Sequence, residues 1–346
     1  MMRVTDRRRL GKSGLEVPVI GFGGAPLGNL YAPVAEDEAL AVMRRAHDRG
    51  IRAFDTAPHY GNGLSEHRIG QVLRERPRDS FALSTKVGRI LTADPAVGTT
   101  QHGYVGTLPF RQHFDYSHDG ALRSIEDSLQ RLGMARVDVA YIHDIDAFTH
   151  GAAEQPRRFR EAMEGAYRAL ERLRREGTIK AIGLGVNEVQ VCRDALAHGD
   201  FDGFLLAGRY TLLDQAALPE LLPLCLKRGA HIVLGGPYNS GILATGAVPG
   251  ARYDYKPASP EMLARVQAIE ALCREHGVPL KAAALQFPLG HPAVACVIPG
   301  ARSPAEVEEN LDLLARPIPS TLWSALKAEH LLPADVPVPA APVALA

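Results

Sequence analysis

Residues 119–144 read DGALRSIEDSLQRLGMARVDVAYIHD. In the first half Leu122, Ile125, Leu129 and Leu132 recur at three- and four-residue spacing, the mark of one face of an amphipathic helix. The second half, residues 137–143, is a short, mostly apolar run ending on a histidine. That is how a strand buried on both faces of a parallel sheet reads. A helix that hands over to such a strand is part of a repeating βα pattern.

The same alternation extends in both directions. Strands are predicted at 19–22, 53–55, 81–86, 137–143, 181–186, 203–206, 231–234 and 294–298. Helices are predicted at 37–49, 66–74, 119–132, 156–176, 188–198, 215–228, 259–275 with a second at 280–287, and 304–314. Eight units predict an α/β fold, a closed (β/α)₈ TIM barrel forming a single domain over residues 1–332; an open eight-stranded sheet is the alternative. Ahead of the first strand, residues 8–10 and 15–17 flank Gly11-Lys12-Ser13-Gly14, an N-terminal β-hairpin placed to plug the barrel bottom. Residues 333–346 are rich in Pro, Ala and Val and read as a loose C-terminal tail. Between Val87 and Tyr116 no strong helical or strand pattern is visible, and a barrel loop of that length usually has a function.

The chain has 346 residues, with 39 basic and 39 acidic side chains. No net field draws it to nucleic acid or to an anionic membrane, so the expected partner is a small molecule. Cys192, Cys225, Cys273 and Cys296 lie far apart, in no zinc, redox or disulfide spacing. The first residues, MMRVTDRRRLGKSG, lack the apolar segment of a signal peptide, and no later run reaches membrane-spanning length. A reducing cytoplasm is the expected compartment. The oligomeric state is not readable.

Barrel enzymes draw their catalytic groups from the C-terminal ends of several strands. Here Asp55 ends the second strand, Lys86 the third and His143 the fourth, with Tyr60 just beyond Asp55. Singly each has an ordinary structural explanation: a helix cap, a solvated charge, a satisfied core histidine. Together they make a proton-transfer device. A free tyrosine titrates near about pH 10, and a nearby ammonium is expected to lower that value; Asp55 would hold the ammonium, and His143 would hydrogen-bond the reacting oxygen. A metal-dependent barrel hydrolase would want a His-x-His on the first strand, and none stands there, so no metal is expected.

The runs FDTAPHYGNGLSE, STKVG and DVAYIHD strongly resemble the aldo-keto reductase superfamily, with Asp55, Tyr60, Lys86 and His143 matching its catalytic tetrad. The resemblance spans residues 10–314 and implies a nicotinamide cofactor laid across the barrel mouth. The usual dinucleotide fingerprint is absent, because Pro26 stands where its third glycine belongs. By resemblance Gly23 and Gly24 approach the nicotinamide and Asn187 binds its carboxamide. Pro237, Asn239, Ser240, Gly241 and Leu243 follow the pyrophosphate, and Gly300, Arg302, Glu309 and Asn310 the adenosine. Ala207 stands where many members have a glutamine and Gly235 where many have a stacking tyrosine, which leaves Arg209 or Tyr210 as substitutes. Glu306 stands near where members preferring NADP place an arginine, so NAD is expected, with NADP possible through Arg302.

Within the family, HYGNGLSEHRIG, AGRYTLLDQ and GGPYNSGIL look most like the branch that oxidises cyclic aldoses, of the L-fucose or D-threo type, at C1 to the lactone. In that scheme Tyr60 is the general base. Pyridoxal 4-dehydrogenases are similar, and a general carbonyl reductase is a further alternative. Candidate substrate residues are His59, Tyr104, Arg111 and Tyr116. A non-catalytic, cofactor-sensing regulatory protein of the same fold is the rival of another class, since a barrel does not by itself imply activity.

Overall fold

Parallel pairing runs unbroken in chain order through eight strands, Phe22–Gly23, Ala53–Asp55, Ala82–Val87, Val139–His143, Ala181–Val186, Gly203–Ala207, His231–Gly235 and Val294–Ile298. The computed structural model describes residues 1–340. The ring closes through a parallel bridge between Ile20 and Val297, where Gly21 N donates to the Val297 carbonyl and Val297 N to that of Val19, both at 2.9 Å. The first strand is therefore shorter in regular pairing than 19–22 suggests, but those residues still form the seam. The closed barrel, rather than the open sheet, is the fold.

Side chains alternate across each strand, so every strand feeds two cores. Facing out toward the helices, Ala140, Ile142, Ile182, Leu184, Phe204, Leu206, Ile232 and Leu234 join the large cluster. Facing in, Val139, Tyr141, Leu205, Val233, Cys296 and Ile298 fill the barrel axis together with Leu10 and Val17. Those last two come from the antiparallel hairpin Arg7–Leu10 and Leu15–Pro18, which plugs the bottom as predicted. Gly11 makes that plug possible: at φ 63°, a Cβ on it would lie 2.3 Å from the carbonyl oxygen of Asp202. The Arg8 guanidinium anchors it by donating to the carbonyls of Leu289 and Val294 at 2.8 and 2.5 Å.

The helix His118–Leu132 is capped by Ser117 Oγ, which accepts from Gly120 N, and ends at left-handed Gly133. Its buried face centres on Ala121, Ser124, Ile125, Ser128 and Leu132, with Leu122 and Leu129 at its edges. Elsewhere boundaries move. Asp146 caps a helix at Ala147–Glu161, earlier than 156, and the run continues through a π turn at Ala162–Ala166 into Tyr167–Arg175. The expected helix at 215–228 shrinks to Leu221–Arg228. Helix Ser320–Ala328, not anticipated, buries Leu322, Trp323 and Leu326.

Two further expectations change. The connection 88–116 is not patternless: Arg89–Ala93 pairs with Phe110–Phe114, and Thr100–Gln101 with Tyr104–Val105, making a two-tiered arm beside the mouth. The segment after 332 is not loose where it is described, because Val336 is buried and Val338 packs on the core. Residues 341–346 of the expected tail lie outside the described residues.

Leu10→Ala tests the plug. It should cost about 2–5 kcal/mol of stability, read as a lower urea midpoint, while leaving activity at the opposite end of the barrel nearly unchanged.

Candidate active site

The alternation that sends Ala53, Ala82, Ser84, Val139 and Tyr141 inward sends Asp55, Lys86 and His143 the same way, one layer higher. All three are almost sealed, at 3, 1 and 6 % exposure. Lys86 Nζ lies 2.6 Å from Asp55 Oδ2 and donates to the Thr56 carbonyl at 2.8 Å, while Ser84 Oγ donates to Asp55 Oδ1 at 2.7 Å. The turn after the second strand brings the Tyr60 ring over the ammonium, 4.6 Å from Nζ to the ring centroid. The His143 ring meets it edge-on at 6.2 Å. Tyr60, Lys86 and His143 thus line one cavity of about 780 Å³, with Asp55 behind the lysine.

Electrostatics modify one expectation. Burial, reinforced by Asp55 and Tyr104, pushes the Tyr60 phenol well above its ordinary value. The expected lowering by Lys86 does not prevail, because the ammonium is directed at Asp55 and the ring face rather than at the hydroxyl. Burial also holds His143 well below the usual imidazole value, helped by Lys86 and Arg89; burial, Arg89 and His143 do the same to His59. Asp55 is raised by burial, against the pull of Lys86 and Ser84.

The expected substrate residues divide. His59 lines the cavity, its Nδ1 2.9 Å from Gln112 Oε1, and Tyr104 stacks on Tyr60 at 6.0 Å. Arg111 does not reach the cavity; it lies on the outer face of the arm, paired with Asp94. Tyr116 is fully buried and is a pillar instead, its hydroxyl 2.8 and 2.9 Å from the carbonyl oxygens of His143 and Asp144. Sequence reasoning passed over Arg89, Asp144, Phe148 and Tyr255, which all line the cavity.

A groove continues from the cavity along Gly23, Gly24, Ala207, Gly235, Asn239, Ser240 and Gly300. Its floor is largely backbone, open to close approach by an extended ligand. Asn239 Oδ1 is buried there without a hydrogen-bond partner, as befits an atom whose partner is a ligand. Asn187 lines the adjoining cavity, with Tyr255 Oη 3.2 Å from its Oδ1. These residues fit the place the resemblance gives them toward a dinucleotide.

Other cofactor expectations are placed differently. Tyr210 is fully buried against Phe287 and His291, so it does not substitute in the groove, and Leu243 is a core residue. Arg209 is engaged by Asp214 and Asp254. Pro237 and Gly241 flank the groove turn without lining it. Arg302 Nη2 donates to the Leu30 carbonyl, Glu309 pairs with Lys281, and Asn310 Oδ1 accepts from the Tyr238 hydroxyl. Among the described residues no group of three or more His, Cys, Asp or Glu could hold a metal, and no helix is long and apolar enough to cross a membrane.

Residues 19–329 match the model of the aldo/keto reductase family. The chain is 44 % identical over 340 residues to a pyridoxal 4-dehydrogenase of Microbacterium luteolum, covering 96 % of this chain and 99 % of that one. It is 40 % identical over 326 residues to a D-threo-aldose 1-dehydrogenase of a Pseudomonas species, covering 93 % and 96 %. The holo form of an aldo-keto reductase from Bacillus halodurans superposes with a TM-score of 0.73 at 25 % identity, covering 97 % of this chain and 98 % of that one.

Because burial keeps His59 and His143 neutral, their imidazole resonances in an NMR titration should show no protonation step from pH 8 down to about pH 6. Unfolded, both would take up protons near about pH 6.5, so the folded protein should lose stability as pH falls through that value.

Proposed function

The chain belongs to the aldo/keto reductase family and is an oxidoreductase, and on that footing we propose that it is an NAD-dependent aldose 1-dehydrogenase acting on a cyclic aldose of the L-fucose or D-threo type. The observation that carries this reading is the meeting of Tyr60, Lys86 and His143 in one cavity that opens into a glycine-lined groove. His143 is neutral and can donate to the reacting oxygen, and Tyr60 takes the anomeric hydroxyl proton. Gly23, Gly24, Asn239 and Ser240 would hold a nicotinamide cofactor, which would supply the acceptor for the hydride leaving C1 as the hemiacetal becomes the lactone. Lys86 lies against the Tyr60 ring, where its charge favours the phenolate at the moment the proton moves.

The preference for NAD is supported by Glu306, whose carboxylate accepts from Arg302 N at 2.8 Å, and by the Arg302 guanidinium being turned onto the Leu30 carbonyl. An acid in that place repels a 2′-phosphate. Four free, buried cysteines are in keeping with a reducing cytoplasm.

A second reading has its own support. Tyr31, Tyr104, Phe114, Phe148 and Tyr255 ring the cavity, which suits a flat heteroaromatic such as pyridoxal, and the relative sharing 44 % identity is a pyridoxal 4-dehydrogenase. Both substrates present a cyclic hemiacetal, so the same proton transfer serves either.

Reduction of NAD over a panel of L-fucose, D-arabinose, L-galactose and pyridoxal separates the readings; turnover of the sugars supports the first, and turnover of pyridoxal alone supports the second. Tyr60→Phe should lower turnover by about 10²–10⁴-fold while cofactor binding, followed by fluorescence, is retained. Since the resting phenol is raised, oxidation in the wild type should quicken as pH rises above neutrality. Glu306→Lys should shift kcat/KM toward NADP by about tenfold.

A further inference from the structure

Beside His143 stands a buried ion pair that the proton transfer does not use. Arg89 Nη2 lies 2.5 Å from Asp144 Oδ2, and both residues line the cavity while being more than nine-tenths buried. The pair is held on every side. The Arg89 guanidinium stacks 4.3 Å above the Phe114 ring and donates from Nη1 to Gln112 Oε1 at 3.1 Å. Asp144 adopts a left-handed backbone at φ 53°, and the Tyr116 hydroxyl fixes that turn from beneath through the carbonyls of His143 and Asp144.

One oxygen of this carboxylate is left over. Oδ2 takes the guanidinium and lies 3.5 Å from His143 Nε2, whereas among the described residues no hydrogen bond reaches Oδ1 of this cavity-lining residue. Fixing a carboxylate so firmly, with one acceptor open beside the histidine that meets the reacting oxygen, has little structural purpose. A buried ion pair seldom adds net stability. Its chemistry suits a hydroxyl hydrogen, and its place suits a hydroxyl one carbon away from the reacting oxygen. Asp144 Oδ2 lies 3.5 Å from His143 Nε2, so the carboxylate and the imidazole meet neighbouring parts of one bound molecule.

We infer that Asp144, clamped by Arg89, is a hydroxyl-recognition subsite: its open oxygen accepts the hydrogen of a hydroxyl on the carbon next to the reacting one. The cavity thereby selects α-hydroxy aldehydes and their cyclic hemiacetals over plain aldehydes. The inference deepens the proposed function and rests on its assignment of Tyr60 and His143 to the reacting oxygen. It makes Arg89 a positioning residue.

The test compares two aldehydes that differ by that hydroxyl alone, lactaldehyde and propanal, reduced by the intact enzyme with its reduced cofactor. Wild type should prefer lactaldehyde in kcat/KM by about tenfold or more, the worth of a charge-assisted hydrogen bond. Asp144→Asn, which tolerates the left-handed backbone, turns its amide oxygen to Arg89 and replaces the charged acceptor by a neutral N–H, so the ratio should fall severalfold. Arg89→Met with Asp144→Asn removes both charges together and leaves neither buried alone; the same loss of selectivity is expected. A wild-type ratio near one overturns the inference. So does a variant that slows both aldehydes alike, because Asp144 would then only orient His143. If no aldose is oxidised yet the lactaldehyde preference and its dependence on Asp144 hold, the proposed substrate falls and the subsite stands. Oxidation of L-fucose without that preference gives the reverse.

Discussion

An ammonium group 1 % exposed inside a barrel survives only where other groups replace its water, and Lys86 has three replacements: the Asp55 carboxylate, the Thr56 carbonyl and the face of Tyr60. All three come from the one segment 55–60, so satisfying the charge ties the end of the third strand to the end of the second and to the turn that follows it. Immediately below, the axis is filled by Val139, Tyr141, Leu205, Val233 and Ile298 and closed by Leu10 and Val17. The charge therefore sits at the boundary between a packed apolar column and an open mouth, where low dielectric strengthens its effect on whatever reacts above it.

The same boundary explains why two cations and two carboxylates crowd so small a space. Lys86 with Asp55 and Arg89 with Asp144 are each close to neutral as pairs, which keeps the mouth from carrying a net field, yet each pair projects a directed dipole. Between them His143 is held neutral by burial and by the flanking cations. A neutral imidazole can donate without losing its proton, the property wanted next to a tyrosine that moves one. The raised Tyr60 phenol belongs to this arrangement as well, since burial, reinforced by Asp55 and Tyr104, favours its protonated form.

Much of this was legible in the amino-acid sequence because it rests on local pattern. Apolar runs ending in Asp55 and His143 announce strands, and parity along a strand decides which side chains face inward. What was not legible depends on pairing between distant segments. Arg89–Ala93 and Phe110–Phe114 alternate apolar with polar residues too weakly to stand out, and their register over the intervening 94–109 cannot be read locally. Without register the face of each residue is unknown. Gln112 and Phe114 therefore turn toward His59 and Arg89, while Arg111, the residue that looked like a ligand, turns away to Asp94. Tyr116 and Tyr210 mislead for a related reason: a tyrosine is a polar tip on an apolar body, and only the packed structure tells which end is used.

The small residues Ala207 and Gly235 show how a departure from the family pattern is absorbed. Both line the groove, and the room they leave is bounded on the far side by Tyr255, which borders groove and cavity alike. Tyr255 comes from the separate hairpin Arg252–Tyr253 and Lys256–Pro257. Its amide donates to Ser240 Oγ, its hydroxyl reaches Asn187, and the neighbouring Asp254 is held by Arg209. Arg209 thus acts at one remove: it does not line the groove itself but fixes the segment that carries an aromatic side chain to it. An aromatic wall delivered by a hairpin rather than by a strand end is free to sit across the cavity from His143. The cavity thus pairs an aromatic wall with the charged edge formed by Arg89 and Asp144, and that contrast, apolar on one side and hydrogen-bonding on the other, is what the fold offers a bound molecule.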